Sequence, residues 1–141
     1  MKTDLSVTIG KLKLKNPVMV ASGTFGYAEE FQPYLNIKKL GAIVTKTVTC
    51  APRYGNPMPR TCETPSGLLN AIGLENPGIE GFIKTKVPFL EKLKVPVVMS
   101  IASEKSVQEF CELIKRINPL SVVSAIEINI SCPNVREHAG Q

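Results

Sequence analysis

The chain has 141 residues, 43% apolar and 21% charged, with a formal net charge of +5, one histidine and no tryptophan. That length suffices for one domain burying roughly 68–70% of its unfolded surface, and the composition excludes a disordered or collagen-like polymer. The lysines at 11, 13, 15, 38, 39, 84, 86, 92 and 94 are scattered without interleaved aromatics, which reads as solvated basic surface rather than a nucleic-acid footprint, while an anionic substrate or acidic partner stays compatible with the charge.

The first element is a hairpin: Leu5, Val7 and Ile9 alternate with polar residues, Gly10 turns the chain, and Leu12 and Leu14 alternate again. After Asn16-Pro17 an apolar run, Val18-Met19-Val20-Ala21, reads as a first buried strand ending in the loop Ser22-Gly23-Thr24-Phe25-Gly26. Residues 29–40 have helical spacing, with Pro33 marking a start or a break. Gly41 separates them from a second strand, Ala42-Ile43-Val44-Thr45, which delivers Lys46 at its C-terminal end.

From Thr47 to Pro77 the chain is rich in Pro, Gly, Thr and Asn, so a long connection is expected, and loops of that length are usually functional. Helical spacing returns over Gly78–Leu93 through Ile79, Phe82, Ile83, Val87 and Leu90, with Pro88 near the end. A third strand follows at Val95–Ser100. Ser106-Val107-Gln108-Glu109 matches a capping box, and Val107, Phe110, Cys111, Ile114 and Ile117 form the apolar face of the next helix, placing Cys111 in the core. The fourth strand is Ala125–Asn129.

Apolar strands alternating with helices require a parallel sheet built by right-handed crossovers. A doubly wound sheet would carry G-x-G-x-x-G after its first strand, and Ser22-Gly23-Thr24-Phe25-Gly26 lacks that spacing. The fold class expected is therefore α/β: the N-terminal half, about four βα units, of a TIM (β/α)8 barrel preceded by a short β-hairpin. A full barrel takes about 250 residues, so the sequence is expected to continue past Gln141, with its open sheet edges covered by a second half or a partner.

Barrel active sites sit at the C-terminal ends of the strands, which here present Ser22, Lys46, Ser100, Asn129 and Cys132. Cys50, Cys62, Cys111 and Cys132 form no C-x-x-C pair, and His138 is remote from a ligand set, so a structural zinc site is not expected. The opening residues lack the form of a signal peptide and no apolar run reaches about 18 residues; the expected compartment is the reducing cytoplasm.

The loop Asn129-Ile130-Ser131-Cys132-Pro133-Asn134-Val135 resembles the signature of the dihydroorotate dehydrogenases that use cysteine as base. Four further segments occur in family order: Asn16 to Gly23, Val44-Thr45-Lys46-Thr47, Gly55-Asn56-Pro57-Met58-Pro59-Arg60, and Leu69 to Gly78. The resemblance spans the chain from the hairpin to Asn134 and corresponds to the N-terminal half of a family member, so residues 1–141 read as a partial FMN-dependent barrel domain.

The resemblance implies oxidation of dihydroorotate to orotate in pyrimidine biosynthesis, with Cys132 removing the C5 proton while hydride leaves C6 for FMN. A cysteine near cationic or amide groups titrates below its free value of about 8.5. It implies substrate contacts from Lys46, Asn70, Asn129 and Asn134 and from backbone groups of Ala71, Ile72, Gly73 and Leu74. FMN contacts are implied at Ala21, Ser22, Gly23, Thr45, Lys46, Thr47, Ser100 and Asn129. The family's FMN phosphate loops and a further lysine follow the fourth strand and are not in this sequence, and Arg136–Gln141 departs from the glycine-rich continuation of the family.

Cysteine as base, with no hydrophobic N-terminal extension, separates the chain from the quinone-linked branch. Glu63-Thr64-Pro65 and Leu69–Leu74 are most similar to the NAD-linked branch, in which a homodimeric barrel subunit forms a heterotetramer with a subunit carrying FAD and a 2Fe–2S cluster. No cysteine set for such a cluster is present here, so the partner would supply it. Neither nucleic acid nor membrane is an expected partner. Two other readings remain open: a dihydropyrimidine dehydrogenase-like flavoenzyme, and an inactive truncated half-barrel serving as a pseudoenzyme or assembly subunit.

Overall fold

The computed structural model describes residues 3–103 and 105–130. The alternating N-terminal residues form the expected hairpin: β1 (Val7–Ile9) lies antiparallel to β2 (Leu12–Leu14), with Val7 opposite Leu14. Only Leu14 of this pair is fully buried.

The sheet that organises the rest is parallel. Strand β3 (Ile43–Val44) pairs with β6 (Val97–Ile101), which pairs with β7 (Val123–Ile128), so the sheet order is β3-β6-β7. The run Val18–Ala21 is not the buried strand its composition suggests. It makes a single parallel bridge, Met19 to Ala42, and Val18 accepts one bond from Gly41 N–H at 2.8 Å. Among the described residues the run is bridged on one side only, to the β3 segment, whereas a central parallel strand is covered on both sides; Val18 and Met19 are exposed and only Val20 packs against the core. Gly41 lets the two segments approach: a Cβ there would stand 2.1 Å from the Asn16 carbonyl oxygen.

Residues 29–40 do not form the expected helix. They make two single 3-10 turns, Glu29–Phe31 and Ile37–Lys39. Pro33 has no N–H to donate to Glu29 O, so the first turn cannot propagate, and Asn36 Oδ1 caps the second by accepting from Lys38 N–H at 3.2 Å. The helix expected over 78–93 is divided into α1 (Gly78–Thr85) and α2 (Val87–Leu93). Pro88 falls in the first turn of α2, where the missing N–H would have had no helical partner.

Helix α3 (Val107–Ile117) stands where the apolar spacing puts it, but its cap differs from a capping box. The Ser106 side chain makes no cap bond. Ser106 N–H donates instead to Ser103 Oγ at 3.1 Å, and the Glu109 carboxylate accepts from Lys105 N–H at 3.1 Å with Ser103 Oγ 2.8 Å away. The core placement of Cys111 is also corrected: it is exposed, and Val107 is 73% exposed. The buried stripe runs through Phe110, Leu113, Ile114 and Ile117, an i, i+3, i+4, i+7 set whose centre leaves Cys111 on the flank.

The long connection after β3 contains structure that its composition hides. Strands β4 (Thr61–Thr64) and β5 (Gly67–Asn70) form an antiparallel hairpin, with Thr61 opposite Asn70. It lies almost wholly on the surface, Leu68 and Leu69 included. The core sits between the parallel sheet and the helices. Ile43, Val97, Met99 and Ile101 meet Phe82, Leu90, Leu93, Leu113 and Ile117, and each such side chain contributes roughly 1.5–3 kcal/mol when fully buried. Among the described residues no helix is long and apolar enough to cross a membrane.

Candidate active site

At the C-terminal ends of β3, β6 and β7 the sequence replaces aliphatic residues with hydroxyls and amides, and the structure joins four of them. Thr47 Oγ1 and Ser100 Oγ are 2.9 Å apart, Asn129 Nδ2 donates to Thr47 Oγ1 at 3.1 Å, and Ser100 N–H donates to Thr45 Oγ1 at 3.2 Å. Thr45, Thr47 and Ser100 are buried. The ladder carries these side chains into place: Thr45 N–H bonds Val98 O at 3.0 Å, Val48 N–H bonds Ser100 O at 2.9 Å, and Asn129 N–H bonds Ile101 O at 2.9 Å.

The proton count in this cluster matters chemically. Thr47 and Ser100 share one hydrogen bond and own two hydroxyl protons. Whichever donates, one O–H is left to turn toward another acceptor.

Lys46 lies between Thr45 and Thr47 and breaks their pattern. Its N–H turns away from β6 and donates to Gly26 O at 2.8 Å, tying it to the loop after the first apolar run. That loop is anchored on both sides of Gly26. Phe25 stacks on Phe31 with centroids 4.2 Å apart, and Tyr27 packs against Phe82 at 5.6 Å. Lys86 Nζ stands 5.5 Å over the Tyr27 ring and pairs with Glu29 Oε2 at 2.5 Å. The Tyr27 hydroxyl is buried without a hydrogen-bond partner among the described residues; its pKa is pushed well above the ordinary phenol value by burial, with the Glu30 charge adding. Lys46 is half-buried, and its ammonium makes no hydrogen bond or ion pair among the described residues.

Ala21, Ser22 and Gly23 occupy the start of the same loop, where Thr24 N–H and Oγ1 both donate to Ala21 O at 3.3 and 2.7 Å. Ser22 is half-buried, and Ala21 and Gly23 are exposed. None of the three bonds directly to the hydroxyl cluster among the described residues.

The segment from Asn70 to Leu74 leaves β5 as a shaped loop rather than a free one. Asn56 N–H donates to Ile72 O at 3.0 Å and Asn56 Nδ2 to Ala71 O at 2.8 Å, while Arg53 Nε donates to Gly73 O at 3.3 Å. Ala71 N–H donates to Arg60 O at 2.8 Å. Arg60 is in turn fixed by Asn56 O, Tyr54 O and an ion pair with Glu75. Gly73 at φ +75° and Leu74 at φ +54° are consecutive left-handed residues. A Cβ on Gly73 would also meet Asn56 at 2.8 Å. With the carbonyls of 71, 72 and 73 engaged, the N–H groups of Ile72, Gly73 and Leu74 have no partner among the described residues.

Thr45, Thr47, Ser100 and Asn129 are thus brought together, with Lys46 beside them in sequence. Asn70 and its loop form a second, separately braced group. Cys132 and Asn134 lie outside the described residues. The bracing roles of Asn56, Arg53, Arg60, Asn76 and Thr49 emerge only from the structure; the Gly-Asn-Pro and Glu-Asn-Pro-Gly turn chemistry, within two of the family-like segments, was the available signal, and it does not tell a brace from an ordinary turn. A cleft of about 360 Å³ lined by Cys50, Ile79, Glu80, Glu112, Leu113, Lys115 and Arg116 shares no residue with either group. Among the described residues no group of three or more His, Cys, Asp or Glu side chains is placed to hold a metal ion.

Comparison with known proteins gives a consistent picture. The family model for dihydroorotate dehydrogenase matches residues 4–140. The catalytic subunit of dihydroorotate dehydrogenase B (NAD(+)) from Trichlorobacter lovleyi is 53% identical over 137 residues, covering 97% of this chain and 45% of that protein. The same subunit from Geobacter metallireducens is 52% identical over 139 residues, 99% of this chain and 45% of that protein. In three dimensions, a dihydroorotate dehydrogenase of Eimeria tenella crystallised with ferulenol superposes with a TM-score of 0.69 at 25% identity, covering 94% of this chain and 38% of that one. The chain spans about half the length of the curated relatives it matches.

Proposed function

The chain belongs to the dihydroorotate dehydrogenase family, and on that premise we propose that it supplies the N-terminal half, about four βα units over residues 1–141, of a cytoplasmic (β/α)8-barrel flavoenzyme oxidising dihydroorotate to orotate in pyrimidine biosynthesis. The observation that carries this reading is the cluster that joins buried Thr45, Ser100 and Thr47 to half-buried Asn129 at the C-terminal ends of three parallel strands, beside which the Lys46 ammonium makes no ion pair among the described residues. A polar site at that end of a parallel barrel sheet is where such folds place their chemistry.

The chemistry a bound FMN would supply is that of a hydride acceptor for C6 of dihydroorotate. The donor set fits a flavin, whose ring edge offers carbonyl and nitrogen acceptors: the Thr47–Ser100 pair keeps one hydroxyl proton uncommitted among the described residues, and Lys46 brings a positive charge. Ala21, Ser22, Gly23, Thr45, Lys46, Thr47, Ser100 and Asn129 would hold it. For the substrate, Lys46 offers its charge to the carboxylate. Asn70, Asn129 and Asn134 offer paired donors and acceptors, and the loop from Ala71 through Leu74 offers the amides of 72–74, which have no partner among the described residues. Cys132 takes the C5 proton as thiolate, a positioned base being worth about 10²–10⁴-fold in rate.

The naming of the relatives as catalytic subunits of an NAD(+) enzyme supports a separate partner subunit in electron transfer; the homodimeric barrel, and FAD and a 2Fe–2S cluster on that partner, are what the family resemblance adds to the proposal. With only half the relatives' length, the isolated chain is expected to be inactive by itself. The test is anaerobic bleaching of the flavin absorbance in the flavoprotein containing this chain. Reduction by dihydroorotate, lost in Cys132→Ala, is the expected result; reduction by dihydrouracil but not dihydroorotate would replace this assignment with the dihydropyrimidine dehydrogenase-like one. Full dihydroorotate oxidation by the 141-residue chain alone would refute the half-barrel reading.

A further inference from the structure

Asn76 is buried, 5% exposed, and uses its side-chain amide completely. Oδ1 accepts from Thr49 N–H at 3.1 Å and from Gly78 N–H at 2.9 Å; Nδ2 donates to Thr49 Oγ1 at 3.0 Å and to Leu74 O at 2.7 Å. Thr49 Oγ1 spends its own proton on Ala51 O at 2.7 Å. The Asn76 backbone adds a reciprocal pair with Arg53 at 2.9 and 3.0 Å. An Asn has two donors and two strong acceptor directions, and here each has a partner, so the orientation of the amide is fixed by the two N–H groups facing Oδ1.

What these bonds connect is informative. Thr49 lies two residues beyond Thr47, on the chain that runs out of β3 with its ladder to β6 still intact at Val48. Leu74 ends the 70–74 loop in a left-handed conformation, φ +54°, that a γ-branched residue adopts only when its surroundings over-determine it. One amide therefore ties the strand carrying the hydroxyl cluster to the loop whose three N–H groups, at 72, 73 and 74, have no partner among the described residues.

We propose that Asn76, acting through Thr49, is a positioning residue that sets the 70–74 loop in register with the Thr45–Thr47 strand, so that the substrate-side and flavin-side halves of the site keep one spacing. The inference rests on the proposed function for the identity of the two ligands, but the coupling itself does not. No contact between Asn76 and a ligand is involved.

The test uses the 141-residue chain and the variants Thr49→Val, Thr49→Ser and Asn76→Ala, followed by amide hydrogen exchange. Loss of a buried hydrogen bond of this kind corresponds to roughly tenfold more frequent local opening. In Thr49→Val, exchange at Arg53, Asn56, Ala71 and Asn76 rises about tenfold while β6 and α3 keep wild-type protection, and Thr49→Ser, which retains the hydroxyl, restores the loop. If Asn76→Ala unfolds the chain, the Thr49 pair still decides the matter. Unchanged loop protection in Thr49→Val, or equal loss in loop, β6 and α3, would overturn the inference. Orotate and FMN affinities measured on the flavoprotein containing the chain separate the two readings. Weaker orotate binding with FMN binding intact in Thr49→Val supports both; wild-type protein that binds neither ligand refutes the proposed function, while the exchange result stands for the coupling.

Discussion

Removing the Thr47 hydroxyl while keeping its shape, Thr47→Val, is the sharpest probe of the strand-end cluster. Thr47 Oγ1 is shared by Ser100 Oγ at 2.9 Å and Asn129 Nδ2 at 3.1 Å. Ser100 is fully buried and has no water to turn to, whereas Asn129 is half-buried. A buried group left without its partner costs about 1–3 kcal/mol, and a partly wet one less, so Thr47→Val should destabilise the fold by about 2–3 kcal/mol. Ser100→Ala leaves Thr47 still bonded by Asn129 and should cost only about 1 kcal/mol. In the double variant the stranded Ser100 hydroxyl no longer exists, so the combined loss should fall short of the sum by about 1–2 kcal/mol. Urea unfolding followed by circular dichroism measures all four proteins, with unchanged m-values guarding against an altered denatured state. Additivity within about 0.3–0.5 kcal/mol, the behaviour of independent sites, would refute the claim that these hydroxyls form one unit.

Lys46→Ala should leave unfolding free energy within about 0.5 kcal/mol of wild type, as expected where no ammonium interaction among the described residues is lost, yet weaken orotate binding in the flavoprotein roughly 10–100-fold by removing the charge-assisted contact proposed for it; calorimetric titration reads the second effect. Tyr27→Phe should stabilise the chain by about 1 kcal/mol, because the buried hydroxyl has no partner among the described residues to lose. Tyr27 also has a sign in pH: its folded-state pKa is raised above the ordinary 10.0 by burial and by Glu30. The folded state therefore holds the proton more tightly, and the stability that this provides is complete below about pH 10 and declines above it. Unfolding curves across that range should show the alkaline loss in wild type and less of it in Tyr27→Phe. Gly41→Ala should cost about 1–3 kcal/mol, since its Cβ would meet the Asn16 carbonyl at 2.1 Å, and thermal unfolding is sufficient to detect it.

The sequence by itself determined the family, the parallel α/β character of the chain and the polar residues at the strand ends, because those rest on local signals. Runs such as Val97–Met99 are short and apolar and read as buried strands, and Thr45, Lys46, Thr47, Ser100 and Asn129 stand at or just beyond the ends of the strands. The N-terminal hairpin was legible for the same reason, its alternation and glycine turn lying within a few residues. Boundaries and partners were not. Cys111 shares the helical spacing of Phe110 and Ile114, and only the rotation of α3 against the sheet put Leu113 and Ile117 inward and Cys111 outward. The Ser106 capping box matched in pattern, but Ser103, brought back by the preceding turn, took the bond first. The run Val18–Ala21 reads as a buried strand, yet burial depends on what lies on its other side, which no local pattern contains. The brace around the 70–74 loop depends on tertiary structure most of all. Thr49 and Asn76 are 27 residues apart in sequence, and an asparagine in a Pro-Gly turn carries no mark of the strand it will be bonded to, because a hydrogen bond between distant segments exists only once the chain has folded them together.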